Sequence, residues 1–429
     1  MYRKISDKLL AWKNSLHRKP LILKGARRVG KTYSLLEFGR SCFPHVAYFN
    51  FEINPTLVHI FEGDINPDRL IPLLESVCGA RISKAETLII FDEIQLCPRA
   101  LTSLKYFYEL APEYHIAAAG SLLGIAVNRE EFSFPVGCVD MMDMYPMDFE
   151  EFLLALGKGD LCSMIKEHFS QNIPMELPYH NMAMDFYRQY ILVGGIPLVV
   201  KDFVDNGDYI LARYNQSTII ESYLSDMSKY NTRSEIEKTR LLYNNLHVQL
   251  AKENKRFQYK QVKSGGRASV FESALEWLSL SGIASKIKKI DQIKLPLKAY
   301  TSMSDFKMYV SDVGILCAME DVMPNDILVG NKDINDFRGG LTENYVNQHL
   351  LFNGHKIYYY ADRYMEIDFI LRIDDDIVPI EVKSAHAQAK SLGLYLKKYS
   401  SSYGIKICDK NFGFENRIKT IPLYAVFCI

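Results

Sequence analysis

LILKGARRVGKTYSLLEFGR (21–40) is the stretch on which the reading of this chain turns. Within it, Gly25-Ala26-Arg27-Arg28-Val29-Gly30-Lys31-Thr32 meets GxxxxGK[ST] at every fixed position. The apolar LIL before it reads as a strand, and YSLLEFGR, from Tyr33 on, reads as a helix, which is the context the motif needs. Glycines let such a loop turn its N–H groups inward around phosphate, and the helix N-terminus behind it adds partial positive charge. Lys31 offers a point charge to the β- and γ-phosphates, and the Thr32 hydroxyl offers a ligand to Mg²⁺. Gly25 through Tyr33 is therefore the expected nucleotide-binding segment, with ATP and Mg²⁺ as the expected ligands.

Working outward, LIIFDE (88–93) is an apolar strand that ends in two carboxylates, an expensive placement unless a metal or a water needs them. Asp92 is expected to hold Mg²⁺, and Glu93 to orient or deprotonate an attacking water, which points to hydrolysis rather than storage of nucleotide. The other reading of the pair is an acidic helix cap after a core strand. HIAAAGS (115–121) ends in Ser121, placed either as a γ-phosphate sensor or as an ordinary turn residue. With HVAYFNFE (45–52), these runs alternate with amphipathic stretches, so the first third predicts a parallel sheet covered by helices on both faces.

Composition sets the outer limits. The 429 residues exceed one ordinary core and predict two or three domains. Hydrophobic content of 48% and charged content of 24% belong to a soluble globular chain. Fifty-one basic and 51 acidic residues cancel, which excludes a globally basic nucleic-acid coat but leaves local patches open. The 8 cysteines show no CxxC pair and no framework spacing, the pattern of reduced thiols. The N-terminal MYRKISDKLLAWKNSLHRKP lacks the apolar core of a signal peptide, and YILVGGIPLVV (190–200) is too short to span a bilayer. A cytoplasmic protein without a membrane partner is the expectation.

Downstream, residues 146–230 predict helices around the turn-forming Gly194-Gly195-Ile196-Pro197. KRFQYKQVKSGGRASVFESALEWLSLSGIASKIKKI (255–290) offers a short helix, a glycine turn, a second helix and a two-stranded wing. Residues 235–290, which contain it, resemble a winged helix-turn-helix. Lys255, Arg256, Lys260, Lys263 and Arg267 cluster around the turn, where DNA phosphate contacts would fall, although such modules also serve purely for packing. Trp277 reads as core. Strands return in IYYYAD, EIDFILRI, IVPIEVKS and LYAVFC near the end. The expected domains are 1–155, 156–232, 233–302 and 303–429.

The strings GARRVGKT, YFNFE, LIIFDEIQ, AAGSLLG, FSFPVG, YPMDFEEFL and GGIP together resemble the AAA-type prokaryotic ATPases joined to a C-terminal domain of unknown function (family 4143). SYLSDMSKY and the chain's ending extend the resemblance over nearly its whole length. It implies ATP hydrolysis and, since AAA-type enzymes normally take an arginine finger from a neighbouring subunit, leaves a homo-oligomer open; work on DNA is expected through the winged-helix and nuclease-like segments. That family often has a basic residue after the FPVG glycine; here Cys138 stands there, with Arg129, Arg27 and Arg28 as substitutes.

The last segment also looks like the D…ExK constellation of restriction-endonuclease-like folds, through Asp368 in EIDFIL, Glu381-Val382-Lys383, and Glu343 on the leading helix. In that likeness Asp368 and Glu381 hold Mg²⁺ or Mn²⁺, Lys383 positions the nucleophile, and Glu343 assists. With a strand period of two, Glu381 and Lys383 share a face. Two alternatives stand beside cleavage: a salt bridge between Asp368 and Lys383, and a nucleotide-dependent switch or scaffold that cuts nothing.

Overall fold

The computed structural model of the chain describes residues 1–121, 123, 134–229, 233–252, 255–330, 335–383 and 389–429. Packing divides it into two compact units, Tyr2–Tyr145 with Leu280–Gly282, and Pro146–Ser279 with Ile283–Ile429 and Met1.

In the first unit the strands are β1 (Leu21–Lys24), β2 (His45–Asn50), β3 (Thr87–Asp92), β4 (His115–Gly120) and β5 (Asp140–Asp143). They form one sheet in the order β2-β3-β4-β1-β5, parallel at every pairing. Four are the expected apolar runs, and β3 and β4 are buried throughout. Two apolar clusters line the sheet's faces: Ile22, Phe49, Ile89 and Phe91 belong to one, and Leu21, Leu23, Leu88 and Ile90 to the other. This is the period of two written into each strand, with helices covering both sides. The sheet and its helices have the P-loop NTPase fold that the sequence predicts. β5 was not expected: DMMD is half-exposed and carries two acids, so nothing in its pattern marks a strand.

Strand register brings the functional turns to one edge. Asn50 pairs with Asp92, Asp92 with Ala119, and Gly120 with Lys24. The carboxyl ends of four neighbouring strands therefore lie within one residue of a common level, where open parallel sheets bind ligands.

The second unit begins with helices. Asp148 caps Phe149–Ala155 through a full capping box with Glu151. Gly194, at φ 72°, ends the helix Leu177–Val193, and Pro197 starts Pro197–Asn206. A side chain on Gly195 would meet the Met147 carbonyl oxygen at 1.9 Å, so the turn needs glycine there. The Asp312 carboxylate locks it by accepting from the Gly195 N–H at 2.6 Å while capping Val313–Met319.

The rest is a mixed eight-stranded sheet, ordered β12-β13-β11-β10-β9-β8-β6-β7. Its strands are β6 (Ala284–Ile290), β7 (Thr301–Val310), β8 (Tyr358–Ala361), β9 (Glu366–Ile373), β10 (Asp376–Val382), β11 (Gly404–Cys408), β12 (Gly413–Glu415) and β13 (Ile418–Pro422). The hairpin read as a wing, β6 with β7, is the edge of this sheet rather than a free appendage. One expectation is corrected. LYAVFC is a buried 3₁₀ helix, Leu423–Cys428, not a strand, because a short apolar run has no periodicity to separate the two. No helix among the described residues is long and apolar enough to cross a membrane.

Candidate functional site

The P-loop joins β1 to the helix Lys31–Cys42. Gly25 sits at φ 152°, and a side chain there would lie 2.1 Å from the Met144 carbonyl oxygen. Gly30 and Arg28 also take positive φ, at 96° and 70°. The Arg3 guanidinium braces the loop, donating to the carbonyls of Val29 at 2.8 Å and Tyr145 at 2.7 Å. Lys31 is buried, and its ammonium donates to the carbonyls of Gly25 at 2.8 Å and Ala26 at 2.7 Å. Burial lowers it to about 8, against an opposing pull from Glu93 and Asp92. Tyr33 and Arg28 are exposed, Arg27 is half-buried, and Val29 and Ala26 are buried under the loop.

At the end of β3, Asp92 Oδ2 accepts from three donors: the Thr32 hydroxyl at 2.9 Å, the Tyr48 hydroxyl at 2.7 Å and the Asn50 amide at 3.1 Å. Glu93 follows at φ 51°, a left-handed conformation that swings its carboxylate off the strand. Its Oε2 accepts from the Gln95 amide at 2.5 Å and the Ser121 hydroxyl at 3.3 Å. Thr32, Asp92, Glu93 and Ser121, from three separate stretches, thus meet in one hydrogen-bonded chain. The donor set fits Mg²⁺ bound with nucleotide: a hydroxyl and a carboxylate already joined, on the helix that also carries the buried Lys31 ammonium and at the end of β3. Tyr48, Asn50 and Gln95 were not anticipated. Tyr48 and Asn50 share a face of β2 by the period of two, and that spacing was the available signal. Burial raises the Tyr48 hydroxyl to about 12, so it stays a donor. Cys138 lies in a turn, and Arg129 lies outside the described residues.

The C-terminal carboxylates also converge. β9 and β10 are antiparallel, and their last paired residues, Ile380 and Phe369, are the chain neighbours of Glu381 and Asp368. Asp368 Oδ2 accepts from the Val382 N–H at 2.8 Å. Glu343 arrives from the helix Asn335–Phe352 and is buried. Its Oε1 accepts from the Tyr309 hydroxyl at 2.5 Å and pairs with the Lys307 ammonium at 3.1 Å, while Lys255 holds Oε2. Lys307 also pairs with Glu366 at 2.9 Å and Asp368 at 3.9 Å. Lys383 pairs with Glu381 at 3.4 Å rather than with Asp368. Burial opposes the Glu343 charge, yet Lys255 and Lys307 pull it down to about 2. Burial, with help from Glu343, pushes Asp368 up to about 6. The residues present do not fit a bound metal, because lysine ammoniums pair with Glu343 and Glu381 and backbone N–H groups take Asp368 Oδ2 and Glu381 Oε2. Among the described residues no group of three or more His, Cys, Asp or Glu is arranged to hold one. Lys307 and Tyr309 escaped the sequence reading, although FKMYV puts both on one face of an apolar strand.

The basic run splits in two. Lys255 turns inward to Glu343 and Arg256 pairs with Asp305 at 2.6 Å, whereas Lys260, Lys263 and Arg267 are exposed. Trp277 is core, as expected.

No curated protein matches the chain. Among solved structures, a Walker-type ATPase of Pyrococcus abyssi is 16% identical, over 74% of this chain and 95% of that one, with a TM-score of 0.45. The Aeropyrum pernix ORC1 protein, solved in complex with DNA, is 10% identical over 75% and 91%, with a TM-score of 0.28. The RuvB Holliday junction branch migration motor of Thermotoga maritima is 11% identical over 66% and 89%, at 0.29. Likenesses this distant carry no functional argument. Residues 184–326 match a domain of unknown function, 8612, and residues 338–426 another, 4143. Residues 17–153, which hold the loop and both strand-end acids, match the AAA domain.

Proposed function

We propose that the chain is an ATP hydrolase that uses its nucleotide cycle to work on DNA. The observation that carries the hydrolytic part is the hydrogen-bonded chain from Thr32 through Asp92 to Glu93 and Ser121. Lys31 leaves its two carbonyl partners for the terminal phosphates, which offer it full negative charge. Thr32 and Asp92 would hold Mg²⁺, which would offset charge on the phosphates. Glu93 takes the proton of a water whose oxygen bonds to the γ-phosphorus while the bond to the bridging oxygen breaks and ADP leaves, and Gln95 and Ser121 fix the Glu93 carboxylate. DNA contact rests on the exposed Lys260, Lys263 and Arg267, a local patch on a neutral chain. The domain boundaries near 155, 232 and 302 and assembly into a homo-oligomer belong to this reading.

A second reading is a nucleotide-dependent switch whose C-terminal domain cuts nothing. The pairing of its acids with lysines favours silence there over a Mg²⁺- or Mn²⁺-dependent nuclease. The test is phosphate release with and without DNA, beside a cleavage assay on linear, supercoiled and single-stranded DNA. Turnover that rises with DNA, lost in Lys31→Ala, supports the first reading. Tight nucleotide retention with no turnover supports the switch, and metal-dependent cleavage abolished by Asp368→Ala would restore the nuclease. Replacing Lys260, Lys263 and Arg267 together by Ala is expected to flatten the salt dependence of DNA binding by roughly 3 in slope.

A further inference from the structure

Lys307 lies in the middle of β7 between the buried Phe306 and Met308, and is itself only 1% exposed. A buried ammonium needs compensating charge, and here the compensation is excessive. Three carboxylates from two elements point at one nitrogen: Glu366 at 2.9 Å, Glu343 at 3.1 Å and Asp368 at 3.9 Å. The Tyr359 ring, with its centroid 5.0 Å away, closes another side. Such convergence supplies the oxygen-borne charge that a hard divalent cation seeks, although with the ammonium in place the acids are not arranged to hold one. The remaining valences of the acids are taken as well. Lys255 and Tyr309 hold Glu343, the Val382 N–H holds Asp368, and Lys383 and the Leu392 N–H, at 3.4 Å, hold Glu381.

We propose that Lys307 is the resident cation of this cluster, filling with a side chain the position a divalent metal would take. A metal entering the wild-type cluster would have to displace one buried ammonium while facing a second, Lys255, across the same carboxylate. Both costs are electrostatic, and around the buried Lys307 and Glu343 solvent does little to relieve them, although Glu366 reaches the surface. The cluster therefore ties β7, β9 and the helix Asn335–Phe352 together without metal. Removing the ammonium turns the same oxygens into an open site for a hard divalent ion. This deepens the silent-domain reading and is independent of the nucleotide site.

The test is a Mn²⁺ titration of the full, nucleotide-free chain, followed by electron paramagnetic resonance of free Mn²⁺ and by thermal unfolding. Wild type is expected to show no Mn²⁺ site that depends on Asp368 and no thermal shift. Lys307→Ala is expected to bind Mn²⁺ about tenfold more tightly or better, with a Mn²⁺-dependent gain in melting temperature. The double variant Lys307→Ala/Asp368→Asn should lose both. Wild-type Mn²⁺ binding that Asp368→Asn abolishes would overturn the proposal, as would a folded Lys307→Ala that binds no better than wild type. Wild-type binding that survives Asp368→Asn and Glu343→Gln lies elsewhere and supports it. If Lys307→Ala does not fold, the wild-type titration and these two variants decide the matter. A cleavage assay reports separately, since a cluster that binds Mn²⁺ without cutting DNA sinks this proposal and leaves the silent domain standing.

Discussion

Lys31 and Lys307 are both buried lysines beside strand-borne acids, and their surroundings act on them in opposite directions. At Lys31 the partners are two backbone carbonyls, neutral dipoles that compensate a charge only in part, and burial lowers the ammonium to about 8. At Lys307 burial pushes the same way, but Glu343, Asp368 and Glu366 overcome it and raise the ammonium above its ordinary value. The contrast shows what makes a buried cation usable. One held by dipoles gains by exchanging them for phosphate, whereas one held by carboxylates has nothing to gain from a ligand.

The largest expected effect tests the usable half of this pair. Glu93→Gln should slow phosphate release by about 10²–10⁴-fold while MgATP affinity by calorimetry changes little, because the cradle survives the loss of the base. Lys31→Ala should lose binding and turnover together. In wild type, MgATP at about a hundred times its Kd should stabilise the unit it binds by roughly 2.7 kcal/mol, and a null thermal titration would remove the nucleotide assignment.

The committed half is tested by stability. Lys307→Met strips the counter-charge from three carboxylates and should cost about 3–5 kcal/mol in denaturant unfolding. A loss below about 1 kcal/mol would mean that the cluster is solvated and the contrast with Lys31 is false.

Asp368 gives a smaller effect with a defined sign. Its folded value near 6 exceeds that of an unfolded aspartate, so its contribution is fully present below about pH 4 and is lost as pH rises through 6. Asp368→Asn should therefore stabilise the domain above pH 6, by about 3 kcal/mol at most, and the gain should vanish near pH 4. A gain that persists at low pH would point to packing instead.

The smallest effect returns to Lys31. Its ammonium begins to deprotonate near pH 8 in the free protein, and bound phosphates favour the charged form. MgATP affinity should fall above pH 8 by up to about tenfold per pH unit, with proton uptake on binding visible in buffers of different ionisation enthalpy. A flat profile from pH 8 to 9.5 would show that Lys31 is charged throughout.

What the residues determined by themselves is the local chemistry. GARRVGKT states its loop, its helix start and its ligand class within eight positions, because every donor it needs is supplied by neighbours in the chain. LIIFDE and HIAAAGS declare their strands by apolar runs and their functional ends by the residues that break them. The capping box at Asp148 and the turn at Gly194-Gly195-Ile196-Pro197 are equally local.

Tertiary structure alone decided which of these ends meet and what each charge faces. Tyr48 and Asn50 became partners of Asp92 only through the register of β2 against β3. Gln95 reached Glu93 only through the left-handed turn. Asp368, Glu381 and Glu343 looked the same in sequence whether destined for a metal or for an ion pair. The deciding residue, Lys307, lies 36 positions from Glu343 and on a different element, a strand rather than a helix. A motif records which groups are present, but the energy of a buried charge depends on what surrounds it in three dimensions. For a carboxylate in a core, that surrounding is assembled from distant segments only when the sheet closes.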